Sequence, residues 1–178
     1  MPSSLSRRTS DFRGSGNKRT EDTEKLAGGN MADIYSIDWY DTLKALVNSR
    51  EDISARAPQG QWRICVEIAG DGKSPYIGNG QAKYFFILFD KGKCQEYKEL
   101  SETMDGKGLD FRFSGPATVF EEIAAGMRDF IEAGLRGAIR IRGDMRIFMK
   151  NAELVKIMSE LYSQQVDTQW PKGRPPYV

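Results

Sequence analysis

The 178 residues carry 26 basic and 25 acidic side chains, a net charge of +1, so bulk electrostatics would not hold the chain on nucleic acid. Histidine is absent, which excludes Ser-His-Asp and Cys-His catalysis and every histidine-ligated metal site. Acid–base chemistry would fall to Asp, Glu, Lys, Tyr or Cys, no cofactor is implied, and the length fits one domain with appendages.

Cys65 and Cys94 match no metal or redox spacing and read as small packing residues. No stretch approaches the ~20 apolar residues of a membrane span. The N-terminus lacks the apolar core of a secretion signal, and the chain ends Pro-Pro-Tyr-Val rather than Ser-Lys-Leu. The expected location is cytoplasmic.

Residues 1–30 hold six basic and four acidic side chains and few large apolar ones, so burial cannot offset their ordering entropy. They are expected to be a disordered or docked extension, either an inert tail or a tether for an anionic membrane or a partner. A domain over 31–162 and an extended tail over 163–178 follow.

Ile34 to Arg50 reads as a helix with Trp39, Tyr40, Leu43, Leu46 and Val47 on one face, ended by Ala57-Pro-Gln-Gly60. Gln61 to Ala69 alternates as a half-buried strand, with Trp62, Ile64, Val66 and Ile68 on one side. Gly70-Asp-Gly-Lys-Ser74 imitates a phosphate-binding loop. The motif needs a glycine where Glu67 stands, and Pro75 prevents the helix it must open, so a hairpin connection is expected.

Tyr84 to Phe89 is a continuous apolar run, expected to be the central strand, with Lys93 to Tyr97 returning antiparallel after a tight turn. Leu109 to Phe113 alternates again. Pro116 opens a helix with Phe120, Ile123, Ala124 and Met127 in a stripe, and Asp129 caps a short one carrying Phe130, Ile131 and Leu135. Ile139 and Ile141 alternate with Arg140 and Arg142. Gly143 and Asp144 then turn the chain into one long helix through Tyr162, apolar over a wide arc. Trp170 and Tyr177 in the tail are placed against the body. The order of elements describes an α+β domain with helices on one sheet face.

The stretch from Gly137 through the Ala-Ile-Arg-Ile-Arg strand to the Gly143-Asp-Met145 helix start resembles the C-terminal half of sterol-carrier-protein-type lipid-transfer domains. Leu109-Asp-Phe-Arg-Phe113, Phe120-Glu-Glu-Ile-Ala-Ala-Gly126 and Asp129–Leu135 carry the resemblance upstream. It covers Leu109 to Tyr162 by motif and Trp62 to Tyr97 by pattern. The resemblance implies a roughly five-stranded mixed sheet covered on one face by about four to five helices, with an apolar tunnel. The implied ligand is a fatty acyl chain, acyl-CoA or sterol-like molecule.

The inward residues expected to line such a tunnel are Phe86, Leu88, Phe111, Phe113, Phe120, Ile123, Met127, Phe130, Ile131, Leu135, Met145, Phe148 and Met149. The same periodicity fits an ordinary packed core. Arg140, Arg142 and Arg146, with Arg112, Arg136 and Lys150, are candidates for an anionic headgroup or a coenzyme A phosphate; the alternative is a solvated face paired with Glu67, Glu96 and Asp110. Three functions remain open: a non-enzymatic lipid carrier, an accessory subunit docking on an enzyme through its tails, and an enzyme using a buried Asp110 or Tyr84.

Overall fold

The computed structural model describes residues 31–178. The expectation of a disordered or docked extension over residues 1–30 lies outside them. Five strands form one mixed sheet: β2 (Gln61–Ala69), β3 (Ala82–Asp90), β4 (Lys93–Leu100), β5 (Phe111–Pro116) and β6 (Arg140–Gly143), in the order β4-β3-β2-β5-β6. The apolar run of β3 reads as a central strand, but β2 takes the middle, antiparallel to β3 and parallel to β5. The reason is topological. The β3–β4 hairpin closes one side of β3, whereas the return to β5 must cross to the far side of β2.

Pairing fixes which side chains share a face. Val66 stands beside Phe85 on one neighbour and Phe113 on the other, and Phe113 beside Ile141. These residues face the helices, together with Trp62, Ile64, Ile87 and Phe89. Arg63, Cys65, Glu67, Phe86, Leu88 and Arg112 face away. The β4–β5 loop folds over part of this outer face, where the Arg112 guanidinium donates to Thr103 Oγ1 at 3.1 Å and to the Met104 carbonyl. Cys65 is thereby wholly buried.

Among the described residues, six α-helices lie on the inner face: α1 (Ile37–Ser49), α2 (Glu51–Arg56), α3 (Ala117–Ala124), α4 (Phe130–Leu135), α5 (Met145–Lys150) and α6 (Ala152–Glu160), the last running into a π-turn over Leu161–Gln165. Ser36, Asp129 and Asp144 cap α1, α4 and α5 by accepting from backbone amides. The long helix expected after Gly143 is broken at Asn151 (φ −106°, ψ 22°), whose side chain donates to the Ile147 carbonyl. Asn in that role competes with helix continuation, so α5 and α6 are separate pieces.

Helix α1 is stitched to the edge strand β4. Gln95 is an extra residue in the β3–β4 ladder, and the bulge leaves backbone groups free. Asn48 donates to the Cys94 carbonyl at 3.1 Å and accepts from its amide at 2.7 Å, while Lys44 Nζ donates to the Gln95 carbonyl at 3.3 Å.

The sequence reading did not anticipate a second sheet. β1 (Met31–Asp33) pairs in parallel with β7 (Asp167–Gln169), and Thr168 accepts from the buried Trp39 indole at 3.0 Å. The rest of the tail lies on the body, with Trp170 edge-on to Tyr76 and the Lys172 amide donating to the Tyr76 hydroxyl.

The phosphate-loop imitation has a structural role. Helix α3 begins after Pro116, which offers no capping side chain, and Asp71 supplies the cap from across the loop. Its Oδ2 accepts from the Thr118 amide at 3.3 Å and from the Thr118 hydroxyl, while Oδ1 accepts from the Lys73 and Ser74 amides, both at 3.1 Å. Burial opposes the Asp71 charge, but these bonds outweigh it and hold the carboxyl below its ordinary range. Asp71→Ala is expected to lower stability by about 1–2 kcal/mol in urea unfolding, whereas exposed Lys73→Ala should stay within about 0.5 kcal/mol.

Candidate ligand chamber

The inner sheet face and the helices enclose a cavity of about 350 Å³. Its floor is built by Trp62, Ile64 and Val66 of β2, Phe85, Ile87 and Phe89 of β3, and Phe111 and Phe113 of β5. Its roof draws on Leu43 and Val47 of α1, Ile53 of α2, Phe120 and Ile123 of α3, Phe130 of α4, Phe148 of α5, and Leu154, Val155 and Met158 of α6. No residue of α6 is fully buried: Leu154, Ile157 and Met158 pack against the cluster of Val47, Ile53, Cys94 and Leu161, and Leu154, Val155 and Met158 also border the cavity.

Aromatic contacts keep the walls rigid. Phe113 packs edge-on to Phe130 at 5.4 Å between ring centres, and Trp62 stacks on Phe111 at 6.0 Å. Tyr40 and Tyr97 stack at 4.6 Å, and burial raises both phenols, so they remain neutral. Among the described residues no carboxylate lines the chamber. Asp110 instead accepts from the Arg63 amide at 2.7 Å, and Tyr84 stands opposite Glu67 on the outer face. Among the described residues, no group of three or more Cys, Asp or Glu side chains is gathered as a metal site. A second hollow, of about 520 Å³, lies beside Glu67, Asp71 and Arg140; it is shallow, open and mixed in character, so the enclosed apolar chamber is the candidate site.

Six of the thirteen residues expected to line a tunnel meet around this chamber: Phe111, Phe113, Phe120, Ile123, Phe130 and Phe148. The other seven do not. Phe86 and Leu88 lie on the opposite sheet face, Phe86 beneath Lys98, whose ammonium stands 5.4 Å from the ring centre. The β3 run is apolar on both sides, so it carries no phase of its own. Its phase follows from β2, since Phe85 must share the side of its partner Val66. Met127 lies beyond the end of α3, where Gly126 at φ +71° turns the chain outward, and is 51% exposed. Ile131 is half-buried away from the chamber, and Leu135, Met145 and Met149 are exposed.

Arg140, Arg142 and Arg146 are exposed, far more solvated than the chamber wall. Arg146 pairs with Asp144 at 2.9 Å; Arg112 contacts Glu67 at 3.8 Å. The residues of α1 and α6 that line the chamber were legible as helix stripes, but nothing in their spacing separates a cavity wall from a core.

Behind the wall, the opposite side of α3 carries a fully buried carboxylate. Glu121 Oε1 accepts from the Ser74 hydroxyl at 2.7 Å and from the Tyr35 hydroxyl at 3.2 Å. Tyr177 of the tail lies beside it, yet Oε2 has no partner in hydrogen-bonding geometry. Desolvation raises the Glu121 carboxyl above its ordinary range, despite the hydroxyls that favour its charge.

A five-stranded mixed sheet with the described helices on one side and an apolar cavity between them defines the architecture as an α+β domain. The sequence matches the SCP-2 sterol transfer family over residues 42–156, and the chain belongs to that family. It is a sterol-carrier-type lipid-binding domain. No curated protein sequence matches the chain. A crystal structure of sterol carrier protein 2 is similar in fold, with a TM-score of 0.63 at 13% identity, covering 75% of this chain and 99% of that one. So is a conserved hypothetical protein, possibly sterol carrier protein, from Thermus thermophilus, with a TM-score of 0.61 at 14% identity over 79% of this chain and 94% of that one. Among the described residues no helix is long and apolar enough to cross a membrane.

The raised Glu121 carboxyl sets a pH dependence. The folded state binds the proton more tightly than the unfolded one, so stability falls as pH rises from about 4.3 through the folded-state value, and is level above it. Glu121→Gln keeps an acceptor for Ser74 and Tyr35 and removes the titration. Its stability relative to the parent is expected to increase across that window in thermal unfolding followed against pH.

Proposed function

We propose that this protein is a non-catalytic lipid carrier that holds a single acyl chain, or an apolar molecule of similar bulk, in the chamber beneath α1, α3 and α6. The observation that carries the reading is the apolar cavity of about 350 Å³. At about 30 Å³ per methylene-sized group, it accommodates roughly a dozen such groups. Their transfer from water contributes on the order of 10 kcal/mol before the costs of association. That size fits a medium-length chain better than a fused-ring sterol with its side chain.

The lining supports a carrier over an enzyme: among the described residues it holds no carboxylate, burial keeps its tyrosines and Cys94 neutral, and its lysine, Lys44, donates to the Gln95 carbonyl. A polar headgroup would stay at the chamber mouth. The contrary reading, an accessory subunit docking through its tails, has less support from the C-terminal tail, which is spent on Tyr76 and on Arg174 donating to the Ala125 carbonyl at 2.7 Å.

Isothermal titration of the delipidated protein with dodecanoate is expected to show one site per chain. Ile64→Trp, which fills the space of about two methylene-sized groups, should weaken binding roughly tenfold. Met149→Ser, on the exposed side of α5, should leave it unchanged. Absence of binding by the parent, or indifference to Ile64→Trp, would contradict the carrier.

A further inference from the structure

The edge of the fold around β6 departs from the charge balance of the whole. Between Leu135 and Lys150 stand five basic residues and one acidic, Asp144, in a chain of net charge +1. These residues are contiguous. Helix α4 seats Gly134 so closely on β6 that a Cβ there would meet Ile141 Cδ1 at 2.5 Å, and β6 passes into α5 through the Asp144 cap. β6 is an edge strand, and its Arg140 and Arg142 are exposed. Among the described residues neither of them, nor Lys150, is in an ion pair.

Apolar side chains share this edge. Leu135 is 69% exposed, Met145 39% and Met149 47%, three of the seven large hydrophobic residues left exposed among those described. On α5 the two kinds interleave. Met145 and Met149 are four apart, as are Arg146 and Lys150, while Ile147 and Phe148 line the chamber. An edge strand is commonly guarded by charge, which accounts for Arg140 and Arg142. It does not account for methionines exposed beside them. A nucleic acid would meet the cations and leave the methionines in water. A bilayer with anionic headgroups meets both.

We infer that the α4–β6–α5 edge is the surface by which this protein rests on an anionic lipid bilayer. The chamber wall formed by Ile147 and Phe148 then lies directly behind the contact. The inference draws its purpose from the carrier reading, but its physics stands on the surface alone.

Co-sedimentation of the full chain with phosphatidylcholine vesicles, with and without phosphatidylserine, tests it. Binding is expected only with phosphatidylserine and should weaken as salt is raised. Removing two charges in R140Q/R142Q should weaken binding roughly 25-fold, about fivefold per charge. M145S/M149S should also weaken it, and both double variants should still bind dodecanoate. No sedimentation, or sedimentation of both double variants like the parent, would overturn the inference and in the latter case move attachment elsewhere in the chain. Retention on heparin without vesicle binding would overturn it in favour of a polyanion partner. Vesicle binding without dodecanoate binding would sink the carrier reading and leave the docking surface standing.

Discussion

The interior of this protein depends on the phase of one strand. β2 is the middle strand of five and is paired along both sides, so the side to which Val66 points decides the side for Phe85, Phe113 and, one strand further, Ile141. A slip of one residue would turn Arg63, Glu67 and Arg112 toward the helices, burying charge against an apolar layer. With the observed phase, the helices meet a floor that is aromatic and aliphatic where β2, β3 and β5 line the chamber. A chamber suited to hydrocarbon is a consequence of that alternation before any helix is placed.

The helices above the floor are short, and each break is chemically specified. Asn151 ends α5 by leaving the helical backbone angles, its side chain donating back to the Ile147 carbonyl, and Gly126 ends α3 by entering the left-handed region. Short pieces can be held at their edges instead of across their middles. Asn48 and Lys44 fasten α1 to the β4 bulge, Asp71 fastens the start of α3, and a π-turn carries α6 into the tail. The spanned space between is the cavity that Leu154, Val155 and Met158 of α6 border. The SCP-2 family fold and the chamber are therefore one property viewed at two scales.

Much of this was legible in the chain. The β2 boundaries, the Asp129 and Asp144 caps, the rejection of the phosphate-loop imitation and the helices on one face all follow from local chemistry. What was not legible depends on contacts remote in sequence. β3 is apolar on both sides because Phe86 is covered by Lys98 from the next strand, so its inward residues cannot be chosen without the pairing. The β1–β7 pair joins segments more than a hundred residues apart, and neither three-residue strand has a pattern long enough to see. The exposed methionines of α5 fall on an apolar stripe by spacing, yet a six-residue helix beside a sheet edge has no partner for that much of its circumference.

Helix α3 joins two environments across eight residues. Phe120 and Ile123 face the chamber, while Glu121, between them in sequence, faces Ser74, Tyr35 and the tail residue Tyr177. A body so short moves as one piece. Packing on one side of α3 therefore helps to position the side chains on the other, and the cavity wall and the buried Glu121 cluster share one support. The tail is thus more than a terminal strap: Tyr177 helps to close the pocket around a carboxylate that sits directly behind the cavity wall.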